Sequence, residues 1–418
     1  MTYLTDKIKS GGLFTSDNKG DFYQMKKRAI LTKLLSFATA FTVAATTILA
    51  NGATAVAADG DRFAQELIPD GYAPISEVFT PSEFGYGDAN VLGIPGYFHV
   101  FASGSYTQNG HVHGNFAAGK YIGNNIDSGI RTQFARNSVD YAQILEGKIN
   151  ITESRNYVIL GSGHSIAEDA SATGVYQILD AANGSHGSFN NKISYIAVEK
   201  NTAEAPFINI ANEASRLQGI SATALSAAAP AKYFIINDEQ NNNYGILIDT
   251  NGKDANGVYT INLNYADIID SGDLTVKDFY IRMADLSGVD ALTPEMIQTF
   301  GACSKDSNNT AYPMFNFGDA SQTLWINFNV GAGDSNILIR PHGWYNGPAD
   351  VESNGTYTAS TIDTRMGYDE KNILKHVSNV IWNLNADGSA YVNNATFAAE
   401  WIGSVLAPHA SLHMQANA

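Results

Sequence analysis

The sequence predicts a mainly β protein, either β-solenoid-like or an irregular β-rich domain, with one long flanking amphipathic helix at about 205–228. A β-sandwich is the alternative. Three observations carry this expectation. Of 418 residues, 44% are hydrophobic, only 16% are charged and 38 are Gly, which suits short strands and tight polar turns better than long helices. Short apolar runs recur between Gly and Asn from Val91 onward. The best helical period is confined to one segment.

Taken in order, the N-terminus comes first. Lys26, Lys27, Arg28 and Lys33 precede an uncharged run from Leu34 to Leu49, followed by small residues at Ala53, Ala55 and Ala57. That is the pattern of a secretory signal peptide over 1–57, cleaved near Ala55 or Ala57. The run is short of the ~20 residues of a spanning helix, so no membrane insertion of the mature chain is expected. Residues 1–24 lie upstream of this pattern, and Met25 is the preferred true start. Taking the seven basic and three acidic residues of 1–57 from the 25 and 41 of the whole chain leaves 18 and 38, a formal charge of −20. Such a surface repels nucleic acid and anionic membranes. A single cysteine, Cys303, excludes an intrachain disulfide and a cysteine zinc cluster.

Residues 58–90 form a lead-in with little periodicity. Strands are then expected at 97–102, 156–160 and 192–198, with turns near Gly104, Gly110, Gly114, Gly119, Gly123 and Gly129. Between Ala205 and Pro230, Phe207, Ile210, Ala214, Leu217, Ile220 and Ala224 recur at helical spacing. Gly219 inside that helix implies close packing. "VYTINLN" and "TLWINFNV" alternate as half-buried strands, with Ile261 and Leu263 facing one way and Asn262 and Asn264 the other. Residues 284–320, with a short helix at 294–300, read as an insertion.

Candidate sites are few. His111 and His113 share a strand face and would hold zinc or nickel if a third ligand such as His99 or Asp127 approached. The competing reading, a Gly-rich scaffold with solvent-facing histidines, is the one preferred. "GSGHS" at 161–165 is not a nucleophile elbow. "DTNGKDANG" at 249–257 lacks the EF-hand order and reads as a hairpin turn; no cofactor is expected, and Ca2+ has no motif to support it. Trp344 and Tyr345 lie in a turn-rich loop and are the weak candidates for a ligand contact, whereas Trp382 and Trp401 are expected in the core.

Three blocks carry a family resemblance. "FHVFASGSYTQNGHVHGNFAAGKYIG", with Gly114 and Gly119, the helix near 205–225, and "NVIWNLNADGSAYVNNATFAAEWIGSVLAPHA", with Trp382, Asn383, Gly403, Leu406, Ala407 and Pro408, resemble the choice-of-anchor A domain in the right order. The domain would span 91–418. The match departs at His113, Asn115 and Lys120, and the expected segment after "LAP" is missing, as in a truncated or released protein. The resemblance implies a bacterial cell-surface adhesin of collagen-binding type, and the lack of disulfides fits a Gram-positive secreted protein.

The expected function is therefore a non-catalytic, exported adhesin-type module that contacts an extracellular matrix protein or glycan polymer. The alternatives are a polysaccharide-active enzyme on a β-helical scaffold, which needs a pair of positioned carboxylates, and a structural or ice-surface protein, which needs a flat face bearing ranks of Thr.

Overall fold

The computed structural model describes residues 62–69, 75, 91–108, 115–127, 138–150, 156–190, 195–227, 229–238, 243–268, 277–301, 323–330, 336–337, 339–343, 380–385, 395–397 and 403–414. Within them the chain is mainly β, an irregular β-rich domain with few helices. It begins with β1 (Phe63–Leu67), a 3-10 turn at Ile94–Tyr97, β2 (Val100–Gln108), β3 (Phe116–Asp127), β4 (Ser138–Asn150) and β5 (Asn156–Leu160). A meander of β6 (His164–Glu168), β7 (Val175–Asp180) and β8 (Ser185–Asn190) follows, then β9 (Tyr195–Glu199).

The first sheet has the order β1-β9-β5-β4-β3-β2, parallel except for β1 against β9. The lead-in thus contributes an edge strand. Both faces of this sheet are buried, as a parallel sheet requires. On one side Ala117, Tyr141, Ile159 and Ala197 pack with Ile75, Phe98 and Phe207. On the other, Ala118, Ala142, Leu160 and Val198 pack with Ile178 and Phe189 of the meander.

Three of the glycines expected to make turns do something else, while Gly110, Gly114 and Gly129 lie outside the described residues. β3 and β4 run for 12 and 13 residues, and Gly104, Gly119 and Gly123 lie inside strands. A Cβ at Gly119 would stand 2.7 Å from the Ser103 carbonyl oxygen, and one at Gly123 would collide with that of Lys148. Close approach of neighbouring backbones near bulged register, not a change of direction, is what requires glycine at Gly119 and Gly123, whereas a Cβ at Gly104 would meet nothing within 4 Å.

Helix α1 (Ile210–Leu225) follows, shorter than expected because Asn209 caps it, its side chain accepting from the Asn212 N–H at 3.0 Å. Its apolar stripe, Leu217, Ile220 and Ala224, is the one the sequence shows. Gly219 is not at a close contact, since a Cβ there would meet nothing within 4 Å.

The second half is built on three parallel ladders. β10 (Tyr233–Asp238) pairs antiparallel with β11 (Asn243–Asp249). The chain then runs through β12 (Val258–Asn264), α2 (Tyr265–Ile268), β13 (Lys277–Ala284), α3 (Pro294–Gly301), β14 (Thr323–Asn329), β15 (Asn336–Ile337), β16 (Ile339–Gly343), β17 (Val380–Asn385), β18 (Ala395–Phe397), β19 (Ser404–Leu406) and β20 (Leu412–Met414). Parallel pairing joins β11-β13-β16, β12-β14-β17-β19 and β15-β18-β20, visited in rotation. This arrangement is not the antiparallel packing of a sandwich. Ile248, Ile261, Leu263, Ile326, Phe328 and Trp382 fill the space the ladders enclose. α3, in the stretch read as an insertion, covers the outer face of β10 and β11 through Met296 and Ile297.

Two further expectations are corrected. Residues 250–257 do not form a hairpin: β11 and β12 belong to different sheets, so the loop is a corner. β14 is buried on both faces rather than half-buried, because α1 lies on the side the alternation left to solvent.

Candidate functional site

The β12-β14-β17 ladder carries a feature that positions side chains in ranks. In each strand the same four-residue pattern occurs: Ile261-Asn262-Leu263-Asn264, Ile326-Asn327-Phe328-Asn329 and Trp382-Asn383-Leu384-Asn385. Alternation sends the apolar members inward and both asparagines outward. Parallel pairing in register sets Asn262 beside Asn327 beside Asn383, and Asn264 beside Asn329 beside Asn385. Neighbouring strands are about 4.8 Å apart, which lets one amide reach the next.

In the inner rank, Asn327 Nδ2 donates to Asn262 Oδ1 at 2.8 Å and Asn383 Nδ2 to Asn327 Oδ1 at 2.9 Å. Helix α1 closes over it: Ser221 Oγ donates to Asn383 Oδ1 at 2.6 Å, Asn383 Nδ2 reaches the Ser221 carbonyl, and Asn327 Nδ2 donates to the Ala224 carbonyl at 2.8 Å. This rank fastens the helix to the sheet, and Asn383 is fully buried.

The outer rank lies beyond the inner one. Asn329 Nδ2 donates to Asn264 Oδ1 at 2.8 Å, Asn385 Nδ2 donates to Asn329 Oδ1 at 2.7 Å, and Asn264 Nδ2 ends the row on Asp267 Oδ2 at 2.7 Å. Asn264 is exposed and Asn329 and Asn385 are half-buried. Hydrogen bonds along the row hold the side chains in one geometry while leaving part of each amide facing outward.

Of the residues singled out in the sequence, Trp382 is in the core and Asn383 in the inner rank. Gly403 has φ 94, and a Cβ there would crowd the Val380 carbonyl oxygen, so glycine is needed to start β19. Leu406 packs with Trp325 and Ile381 under α1, and Ala407 lies against the core. Pro408 follows in a turn, and Gly119 sits in β3. His111, His113, Gly114, Trp344, Tyr345 and Trp401 lie outside the described residues. His99 is exposed, with its backbone N–H on the Asn115 carbonyl, and Asp127 ends β3.

The other loops are internally hydrogen-bonded. In "GSGHS", the Leu145 N–H donates to His164 Nε2 at 3.1 Å, tying the meander to β4. At the 250–257 corner the Asn251 amide donates to Asp249, Asp285 and Ser287. The hydroxyl and backbone N–H of Ser287 hold Asp285 below the usual carboxylate range. Among the described residues no group of three or more His, Cys, Asp or Glu gathers to hold a metal, and no helix is long and apolar enough to cross a membrane.

Sequence reasoning missed Asn264, Asn327, Asn329, Asn385 and Ser221. The thrice-repeated apolar-Asn-apolar-Asn pattern was the available signal.

The chain belongs to the family described as "Putative Ice-binding-like adhesive domain", whose model matches residues 91–338, and it is an adhesin-like surface protein. The match runs from before β2 through β15 and includes Asn264 and Asn329. No curated protein and no solved structure matches the chain.

Proposed function

We propose that the protein is an exported bacterial cell-surface adhesin-type module without catalysis, which contacts an extracellular polymer or matrix protein through the outer face of its parallel ladders. Membership of the adhesive family is the observation that carries the reading. The preordered amide rank supports it, since side chains already fixed in place lose little freedom on binding. The basic, apolar and small-residue segments of 1–57 support export with cleavage near Ala55 or Ala57. The "GSVLAPHA" and "FAAGKYIG" blocks support a choice-of-anchor A-type domain within this setting. The ordered ranks on the described β12-β14-β17 ladder are asparagine, so the ice-surface reading gains no threonine face from it.

The test is an array of immobilised glycans and matrix proteins probed with the protein, with and without EDTA. Retention on a polymer that stays intact is expected. Release of soluble products would refute the non-catalytic reading, and loss of retention in EDTA would make Ca2+ part of the site.

A further inference from the structure

We infer that the outer asparagine rank, Asn264-Asn329-Asn385, is a binding site for a neutral, hydroxyl-rich polymer, a polysaccharide chain laid across the β12, β14 and β17 strands. This rests on the adhesin reading and names the ligand class for it.

A side-chain amide has two N–H donors and two acceptor lone pairs. Asn329 spends one donor on Asn264 and one lone pair on Asn385. Asn264 spends one donor on Asp267 and one lone pair on Asn329. Each therefore keeps one donor and one acceptor for an outside partner, repeated about every 4.8 Å along the sheet. A hydroxyl group is itself both donor and acceptor, so a chain bearing regularly spaced hydroxyls can satisfy the row rung by rung.

Charge narrows the partner. The whole chain carries a formal charge of −16, and the carboxylate of Asp267 ends the rank at its β12 side. A polyanion is repelled by both. The rank itself has no charged member, so it offers a polycation only that one terminal carboxylate. What remains is an uncharged chain read by neutral hydrogen bonds. The inner rank supplies rigidity: Asn327 and Asn383 are held by Ala224 and Ser221 of α1, so the strands bearing the outer amides are fixed beneath them.

The experiment is depletion binding of the full chain to microcrystalline cellulose, chitin and cross-linked dextran, with heparin-agarose and type I collagen as the charged and protein surfaces. Wild-type protein is expected on at least one neutral polysaccharide, with an affinity that changes less than about twofold between about 50 and 500 mM NaCl, because neutral contacts are not screened. Asn264→Ala removes an exposed rank amide and Asn385→Ala a half-buried one, and each is expected to weaken that binding about tenfold, the loss of one or two hydrogen bonds. Both should keep the wild-type far-UV spectrum. Gln218→Ala, on the exposed side of α1, should bind as wild type. Binding to the neutral polysaccharide that is indifferent to both rank substitutions overturns the site. Retention on collagen or heparin alone overturns the ligand class but leaves the adhesin reading standing. Retention on none of the five overturns both.

Discussion

Asn383 is the residue on which the helix and the ladder meet. It is fully buried, donates to Asn327 and to the Ser221 carbonyl, and accepts from the Ser221 hydroxyl. Removing one partner from such a set leaves the others desolvated and unsatisfied. Asn383→Ala is expected to cost about 3 kcal/mol in urea unfolding; a cost near zero would show that α1 is held by its apolar stripe alone. Glu199 tells a different story. Its Oε1 accepts from the Tyr141 hydroxyl at 2.9 Å and from the Phe207 N–H, yet burial outweighs these and raises its carboxyl above the ordinary range. A raised carboxyl stabilises the fold fully below its unfolded value and withdraws that contribution as the pH climbs through the folded one. The melting temperature of wild type minus that of Glu199→Gln should therefore be largest in acid and shrink as pH rises; a difference that grows with pH would reverse the assignment. Neither residue's role shows in the sequence in the same degree. Trp382 and Asn383 stand out as a pair, but the partners of Asn383 are 56 and 162 residues away, and only in-register pairing makes the repeated pattern a contact. Nothing near Glu199 in the sequence marks it as buried.

Elements whose cause is local were legible. The α1 stripe and the alternation of β12 follow from period alone, and both stand in the structure. β3 and β4 were not, because a glycine demanded by a neighbouring strand looks the same as a glycine demanded by a turn. A helix glycine in open space and a strand glycine pressed by its neighbour respond oppositely to alanine. Gly219→Ala places a methyl in open space on a helix and should stabilise by about 1 kcal/mol. Gly123→Ala drives a methyl into the Lys148 carbonyl and should destabilise by about 1–3 kcal/mol. Thermal melts of the pair would settle it, and a stabilised Gly123→Ala would mean that this strand approach relaxes freely. β14 illustrates a second limit. Its outward Trp325 and Asn327 look solvent-facing by alternation, but a helix from elsewhere in the chain covers them.

At the scale of the whole molecule, a protein of stacked parallel strands must deal with its open edges. One edge of the β12 ladder is closed by the chain itself: the Ala231 N–H donates to the Thr260 carbonyl at 2.7 Å and the Tyr233 hydroxyl to the Asn262 carbonyl. The free edge of β6 is met by Gln65, whose side-chain amide both donates to and accepts from the backbone of Ile166. Combining Ala231→Pro with Tyr233→Phe should uncover the β12 edge and promote concentration-dependent association in light scattering. A variant that remains monodisperse at all concentrations would show that these caps are dispensable.

The outer amides also share a heading. Asn385 donates to Asn329 and Asn329 to Asn264, both toward β12, and Asn264 passes the direction on to Asp267, so the row is an arrow rather than a comb. A sugar chain has a reducing and a non-reducing terminus, and an arrow distinguishes them: a polysaccharide bound as proposed would settle on this surface with one end leading.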